Sequence, residues 1–402
     1  MKNRKQKLAM AKVIKSTETL NPWPEVRVVI AGGGTGGHLF PGIAIAQEFM
    51  ARNDHSQVLF IGSGRPLEKT TLGPLGFQLK TIHIEGLKGR GLLRQLKAGI
   101  RIPTAILASI WILFRFKPQI ILGVGGYSAG PVIAAAWLMR KRRVLHEQNT
   151  IPGITNRIIA RLVDRCYLSF DDTKGLSQRP NTRIYGNPVR KGLLLEANLP
   201  QSEEGMDQVG PAQTFTIAVM GGSQGAHAIN QAVTEALSYL LPKERFYFIH
   251  QTGKEDEQAV RNVYNKIGMR ADVRAFFKDM ASLYRQADLL VCRAGATTVS
   301  ELTVLGKAAL FVPYPFAADN HQEKNAEAMV KFGAAMMVHQ EELSGAKLAG
   351  LIKSLADDPT KLNEMAKKAA LLGRPKAAKA IVDDCYRLMV AKRSFKPKFK
   401  RS

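Results

Sequence analysis

Cysteine is scarce in this chain of 402 residues: Cys166, Cys292 and Cys385 stand far apart, with no CxxC pair and no neighbouring cluster of histidines. That pattern speaks against a disulfide frame or a zinc site and for buried thiols in a reducing compartment. Long apolar runs are also missing. The longest, residues 102–114, holds 13 residues and includes Pro103, short of the ~20 that a membrane-spanning helix needs. The N-terminus is basic, but Lys12 and Lys15 break the apolar stretch that a signal peptide requires. A cytoplasmic protein, not integral to a membrane, is therefore expected. Aromatics make up only 7% and no nucleic-acid-binding motif is visible, so nucleic acid is not the expected partner. Acidic residues are few, 33 against 58 Lys plus Arg, which leaves a net charge of +25.

A charge of that size concerns partners rather than fold. Its distribution is uneven. Residues 86–119 carry seven Lys or Arg and no acid, interleaved with Leu92, Leu93, Leu96, Ile100, Trp111 and Phe114. A helix with basic and apolar faces reads as an element lying on an anionic membrane surface. Residues 106–116 read as core packing with a solvated charged face within that stretch. Arg140, Lys141, Arg142 and Arg143, after Trp137, extend the basic patch, and the two terminal basic segments read as disordered arms that add to it.

The chain is long for one core and reads as an α/β protein, with short β-branched runs alternating with glycine turns and helical segments. Strands are expected at 26–31, 58–61, 119–124 and 143–146. Residues 193–214 lose periodicity and gather Pro, Gly and acidic residues, as an interdomain linker does. A strand resumes at Phe215. The expected division is a basic extension (1–25), a first domain facing acceptor and membrane (26–192), the linker, a second domain (215–373), and a C-terminal helix with basic tail (374–402). Pro375 is expected at the first position of that helix, where no backbone donor is needed.

Glycine loops follow several strands. Gly32-Gly33-Gly34-Thr35-Gly36-Gly37-His38 satisfies GxGxxG, yet the acidic residue that a dinucleotide's ribose needs about 20 positions on is missing. The loop Gly123-Val124-Gly125-Gly126-Tyr127-Ser128 is a second such turn. Gly221-Gly222-Ser223-Gln224-Gly225 matches the nucleophile elbow of hydrolases, with His250 and His321 as available histidines. Several loops of one kind favour cradling of a phosphate-bearing ligand over a lone nucleophile. Arg293-Ala294-Gly295-Ala296-Thr297-Thr298-Val299-Ser300-Glu301 is a further helix start. Glu301 reads either as a charge complement to the helix dipole or as a carboxylate for ribose hydroxyls.

Together with HEQN (His146 to Asn149), GNPVR (Gly186 to Arg190) and the DNHQ and NA pieces (Asp319 to Ala326), these motifs resemble the MurG family over residues 26–390. That resemblance implies a GT-B type glycosyltransferase: two Rossmann-like doubly wound domains facing across a cleft. It implies inverting transfer of N-acetylglucosamine from UDP-N-acetylglucosamine to a lipid-linked muramyl-pentapeptide at the cytoplasmic face of the plasma membrane, in peptidoglycan synthesis. It further implies that Ser223 and Arg190 contact the diphosphate, and that Ala296, Thr297, Thr298, Val299 and Ser300 line the donor pocket. Glu301 would hold the ribose and the Phe277 backbone would meet the uracil edge. Gln322 and Asn149 would bond sugar hydroxyls, while Thr35, Gly36 and Gly37 approach the sugar from the facing domain.

A departing nucleoside diphosphate needs its developing charge neutralised, by a metal or by Arg and helix N-termini. No DxD pair occurs, and Arg190 with two helix starts suffices, so no cofactor or metal is required. A base must take the acceptor's proton. His38, ending the first loop, has the pKa for it, about 6.5 unperturbed, with Glu147 as fallback; the alternative for His38 is a loop-orienting role. A basic nucleotide-binding module without transfer activity is the competing class.

Overall fold

The computed structural model describes residues 22–84, 92–197, 214–222 and 224–391. Expectations for the N-terminal arm, Lys88, Arg90, most of the linker, Ser223 and the basic tail fall outside the described residues, as do those for the side chains of Arg94 and Lys97.

Two parallel sheets organise the chain. The first holds β1 (Arg27–Gly32), β2 (Gln57–Gly62), β3 (Gln78–Thr81), β4 (Ile120–Gly125), β5 (Arg142–Glu147), β6 (Arg165–Leu168) and β7 (Thr182–Ile184) in the order β3-β2-β1-β4-β5-β6-β7. The second holds β8 (Phe215–Met220), β9 (Phe246–Gln251), β10 (Ala271–Arg274), β11 (Leu289–Cys292), β12 (Ala308–Phe311) and β13 (Met336–Met337) in the order β10-β9-β8-β11-β12-β13. Strands buried on both faces need unbroken apolar runs. Val28, Val29, Ile30 and Ala31 in β1, and Ile217, Ala218 and Val219 in β8, supply them with no exposure. The four strands expected in the first half stand within one residue of their predicted ends.

Each sheet reverses its winding once, between β1 and β4 and between β8 and β11. Such switch points open a crevice beyond the C-terminal strand ends. The glycine loops after β1 and β4 share the first crevice, and those after β8 and β11 share the second.

The chain passes from one sheet to the other through residues 186–190. Val189 and Leu193 already pack into the second domain's core, beside Leu283, Val299 and Leu302. It returns after Gly373. Helix Ala377–Val390 buries Ile381, Val382, Cys385 and Tyr386 against Val26, Val28 and Phe49 of the first domain. We therefore propose that the first domain includes this helix. Pro375 does not open the helix as expected: it sits in a turn closed by the Ala377 N–H on the Arg374 carbonyl, 3.1 Å, two residues earlier. All three cysteines are free and buried, and burial pushes each thiol up to about 12.

Helix Leu92–Phe116 packs one face as expected over 106–116, but its exposed face is largely apolar rather than charged. Ala105, Ser109, Ile112 and Leu113 face inward, at helical spacing. The other side leaves Leu107, Trp111 and Phe114 at 65%, 58% and 67% exposure. Exposed Trp137 and Leu138 lie on helix Ala129–Leu138, which packs against it. The Arg140–Arg143 cluster is also less of a patch than expected. Arg142 and Arg143 open β5 and donate to backbone carbonyls of Ala391 and of Leu162 and Lys141. Among the described residues no helix is long and apolar enough to cross a membrane.

Candidate functional site

The two crevices face each other and enclose a cleft of about 1450 Å³. On the first-domain side the loop after β1 is held by close backbone approach. A Cβ on Gly126 would come within 2.9 Å of the Gly33 carbonyl, and one on Gly33 within 2.5 Å of the Glu68 carboxylate. Glu68 is buried and accepts the N–H groups of Ser63, Gly64 and Arg65 at 3.2, 2.6 and 3.2 Å. Arg65 in turn donates to the Gly34 carbonyl, 3.2 Å.

His38 stands in the first turn of helix Gly36–Arg52 and lines the cleft. Its Nδ1 lies 3.0 Å from Gln148 Oε1. Gly125 leaves room for the ring, since a Cβ there would sit 2.7 Å from Nδ1. Burial pulls the imidazole below its ordinary 6.5, a pull opposed by the hydrogen bond to Gln148 and reinforced by nearby His321. His146, beneath Gln148, is fully buried and lowered to about 4 for the same first reason.

Glu147, the fallback base, is a correction. It lies behind the cleft wall with no exposure, accepting from the Asn149 N–H at 2.9 Å, Asn149 Nδ2 at 3.3 Å and Asn156 Nδ2 at 2.7 Å. Burial raises its pKa, and those hydrogen bonds partly restore it. It holds Asn149 and Asn156, which do line the cleft, while it is itself buried outside the lining.

Across the cleft, the turn after β8 is as tight as its glycines require: a Cβ on Gly225 would meet the Thr252 carbonyl at 2.1 Å. Gln251 ties this turn to the next loop. Its Nε2 donates to the Gly222 carbonyl at 3.0 Å, and its Oε1 accepts the Phe277 N–H at 3.0 Å. Phe277 itself is buried under Arg274, and Phe276 is the residue that lines the cleft. The Phe277 N–H, expected to meet a uracil edge, is thus already committed to Gln251.

Helix Ala296–Leu305 points its N-terminus into the same space. Ala296, Thr297, Thr298 and Glu301 line the cleft. Val299 and Ser300 do not: Val299 is buried in the core and the Ser300 hydroxyl folds back on the Ala296 carbonyl, 2.8 Å. Glu301 is buried and accepts Arg190 Nε and Nη2 on Oε1, at 3.1 and 2.8 Å, and the Tyr284 hydroxyl on Oε2, at 2.8 Å. The Arg190 guanidinium also lies 4.8 Å from the centre of the Phe40 ring, a first-domain residue. Gln322 lines the cleft while accepting the Tyr314 N–H, 3.0 Å.

Three further contacts join the walls. Thr297 Oγ1 donates to the Gly37 carbonyl at 3.4 Å, and Arg157 pairs with Asp319 at 2.7 Å. Asn325 Oδ1 accepts the Thr150 N–H and hydroxyl at 3.2 and 3.1 Å, while its Nδ2 donates to Asn149 Oδ1 at 3.3 Å. The structure therefore gathers Thr35, Gly36, Gly37, His38, Asn149, Arg190, Ala296, Thr297, Thr298, Glu301 and Gln322 about one space. Gln148, Gln251, Phe276 and Tyr284 join the lining, and Glu68 supports it, with no signal in the sequence that marks them. Among the described residues no group of three His, Cys, Asp or Glu is placed to hold a metal ion.

The glycosyltransferase family 28 N-terminal domain matches residues 28–168, and the C-terminal domain of that family matches residues 216–381. The chain is similar to the UDP-N-acetylglucosamine–N-acetylmuramyl-(pentapeptide) pyrophosphoryl-undecaprenol N-acetylglucosamine transferase of Myxococcus xanthus. The two are 45% identical over 366 residues, 91% of this chain and 94% of that protein. The protein of the same name from Syntrophus aciditrophicus is 45% identical over 361 residues, 90% and 98% of the two chains. Among solved structures, MurG of Acinetobacter baumannii superposes with a TM-score of 0.73 at 29% identity, over 90% of this chain and all 100% of that one. UDP-GlcNAc 2-epimerase from Neisseria meningitidis, bound to UDP-GlcNAc, gives 0.64 at 14% identity over 90% and 100%, a likeness of fold alone.

Proposed function

This chain belongs to the UDP-N-acetylglucosamine–N-acetylmuramyl-(pentapeptide) pyrophosphoryl-undecaprenol N-acetylglucosamine transferases of glycosyltransferase family 28, and we propose that His38 and the helix start at Ala296 divide the chemistry of transfer between them. The enzyme moves N-acetylglucosamine from UDP-N-acetylglucosamine to the C4 hydroxyl of undecaprenyl-pyrophosphoryl-MurNAc-pentapeptide, converting lipid I to lipid II in peptidoglycan synthesis.

The observation that carries the division is the hydrogen bond from Thr297 to the Gly37 carbonyl. It sets the helix start that we assign to the diphosphate one contact from the loop that bears His38. In the proposed step the acceptor oxygen attacks the anomeric carbon while the bond to the β-phosphate oxygen breaks. His38 takes the hydroxyl proton, and UDP leaves with the bonding electron pair. One displacement inverts the configuration. The charge gathering on the diphosphate is met by the N–H groups at Ala296 and Thr297 and by the turn after β8. Arg190 has Nε and Nη2 committed to Glu301, so its share falls to Nη1. Glu301, with one oxygen shared only with Tyr284, is the group for the ribose hydroxyls. Asn149 and Gln322 are the groups for the sugar hydroxyls.

The acceptor is lipid-linked, so the cleft must work at a membrane surface. Exposed Leu107, Trp111, Phe114, Trp137 and Leu138 on two packed helices, with Arg101, Arg115, Lys117 and Arg140 nearby in the chain, support peripheral docking on the anionic cytoplasmic leaflet. A sugar-nucleotide screen with purified protein and a short-chain lipid acceptor tests the assignment. UDP-N-acetylglucosamine should be consumed only with acceptor present. Equal consumption without it, or preference for another sugar nucleotide, would overturn it.

A further inference from the structure

Gln148 has no place in the transfer step above, yet it is 1% exposed and uses its whole amide on named partners. Its Nε2 donates to the Val124 carbonyl at 2.8 Å and approaches His146 Nδ1 at 3.0 Å. A carbonyl oxygen only accepts, so the NH2 group must face Val124, and the orientation of the amide is settled by that contact. Two consequences follow. His146 Nδ1 must be the acceptor, which leaves its proton on Nε2, 3.3 Å from the Gly186 carbonyl. And the amide oxygen, Oε1, is what faces His38 Nδ1 at 3.0 Å. Oxygen with no hydrogen meets a ring nitrogen, so that nitrogen must carry the proton.

We propose that Gln148 is a positioning residue that holds His38 in the tautomer with its proton on Nδ1, leaving the Nε2 lone pair to receive the acceptor's proton. This rests on the reading of His38 as the base. A base with the wrong nitrogen protonated toward its substrate is a donor, not an acceptor. The Val124 carbonyl is a second hydrogen-bond partner of the His38 ring; with the Gln148 oxygen removed, the imidazole is held less firmly to one tautomer and one ring orientation. The Gly186 carbonyl, His146, Gln148 and His38 form one neutral chain reaching from the domain crossing to the cleft. The charged or titratable groups about His38 are His321 from the second domain, His146 below Gln148, and Glu147 behind Asn149 and Asn156.

Nitrogen-15 NMR of histidine-labelled full-length protein reads the tautomer directly and needs no variant beyond one for assignment. At neutral pH His38 should show a protonated Nδ1 and an unprotonated Nε2; the reverse pattern would overturn the proposal. Gln148→Met, close in volume, should lower kcat tenfold to a hundredfold while UDP binding and far-UV circular dichroism stay as in the parent. Gln148→Glu places an anion at Nδ1, favours the imidazolium, and should move the acidic limb of the pH–rate profile upward by about one unit or more. Unchanged kcat and limb in both variants would also overturn it. His38→Ala in parallel separates the two claims. Near-normal turnover there removes the base assignment, whereas loss there with unaltered Gln148 variants removes the positioning role alone.

Discussion

Arg190 and Glu301 meet at 2.8 Å across 111 positions of sequence, one from the crossing between domains and the other from the helix that opens on the cleft. The Tyr284 hydroxyl completes the carboxylate's shell at 2.8 Å. Glu301 is buried whereas Arg190 is part-exposed, so the acid is the member that cannot be left alone. Glu301→Ala removes a charged partner from Arg190 and from the ribose, worth ~1.5–3 kcal/mol. The donor KM should rise by about tenfold or more. Tyr284→Phe takes away one neutral donor and should cost ~0.5–1.5 kcal/mol. Steady-state kinetics with varied UDP-N-acetylglucosamine checks both, and an unchanged KM in the Ala variant would count against the ribose assignment.

The contacts that join the cleft walls differ in burial, and their variants should differ accordingly. Asn325 is fully buried and serves Thr150, Asn149 and Ala294. Asn325→Ala strands those groups at ~1–3 kcal/mol and should lower kcat/KM for the acceptor by about fivefold or more. Arg157 and Asp319 form a solvent-facing pair, and such pairs contribute ~0–1 kcal/mol. Arg157→Gln should stay within about threefold of the parent. Equal losses in both variants would contradict the ranking.

Acid should unfold this protein in a defined window. His146 and His250 are buried neutral, lowered to about 4 and about 3 chiefly by burial. The unfolded chain has its histidines at about 6.5 and takes up protons first as pH falls. Stability contributed by keeping these rings neutral is therefore whole above pH ~6.5 and is lost progressively down to the folded values. Each such ring removes up to ~1.4 kcal/mol per pH unit in that interval. Tm should hold from pH 7.5 to about 6.5 and fall steadily from there to pH 5, and a profile flat to pH 5 would contradict the burial of neutral rings.

Membrane docking should need the apolar face more than the charge alone. Replacing Leu107, Trp111 and Phe114 by Ser should lower co-sedimentation with anionic vesicles and leave UDP affinity intact. Raising salt from 0.1 M to 1 M shortens the Debye length from ~10 Å to ~3 Å and should weaken the parent's binding. No effect of the triple change would leave these residues as a solvated face, and equal binding to neutral and anionic vesicles would remove the role of charge.

Much of the architecture was legible because parallel strands write themselves as apolar runs and each is followed by the glycines its turn requires. The lining of the cleft was legible where glycine loops and a helix start converge on it. It was not legible where helical period decides. Thr297 and Glu301 share a face toward the cleft, whereas Val299 turns to the core, so a continuous stretch of five residues overstates the wall. Glu68 was invisible because nothing in its sequence neighbourhood says that three loop N–H groups need an acceptor. Gln148 reads in the chain as one polar residue among HEQN; only the fold puts His38 against its amide oxygen. Glu147, by contrast, was a fair reading of that motif, and its burial behind two asparagines is a fact of packing alone.

In the proposed transfer His38 removes the acceptor's proton as UDP departs. Rapid-quench measurement of UDP release from enzyme saturated with UDP-N-acetylglucosamine, started by adding a short-chain lipid acceptor, tests it most directly. The parent should release UDP only after acceptor is added, and the rate should fall at low pH with a midpoint below 6.5, the direction in which burial moves the ring. His38→Ala should slow that release by roughly 10²–10⁴ with UDP affinity preserved. Release at a near-parental rate in His38→Ala, with the same pH dependence, would contradict the account.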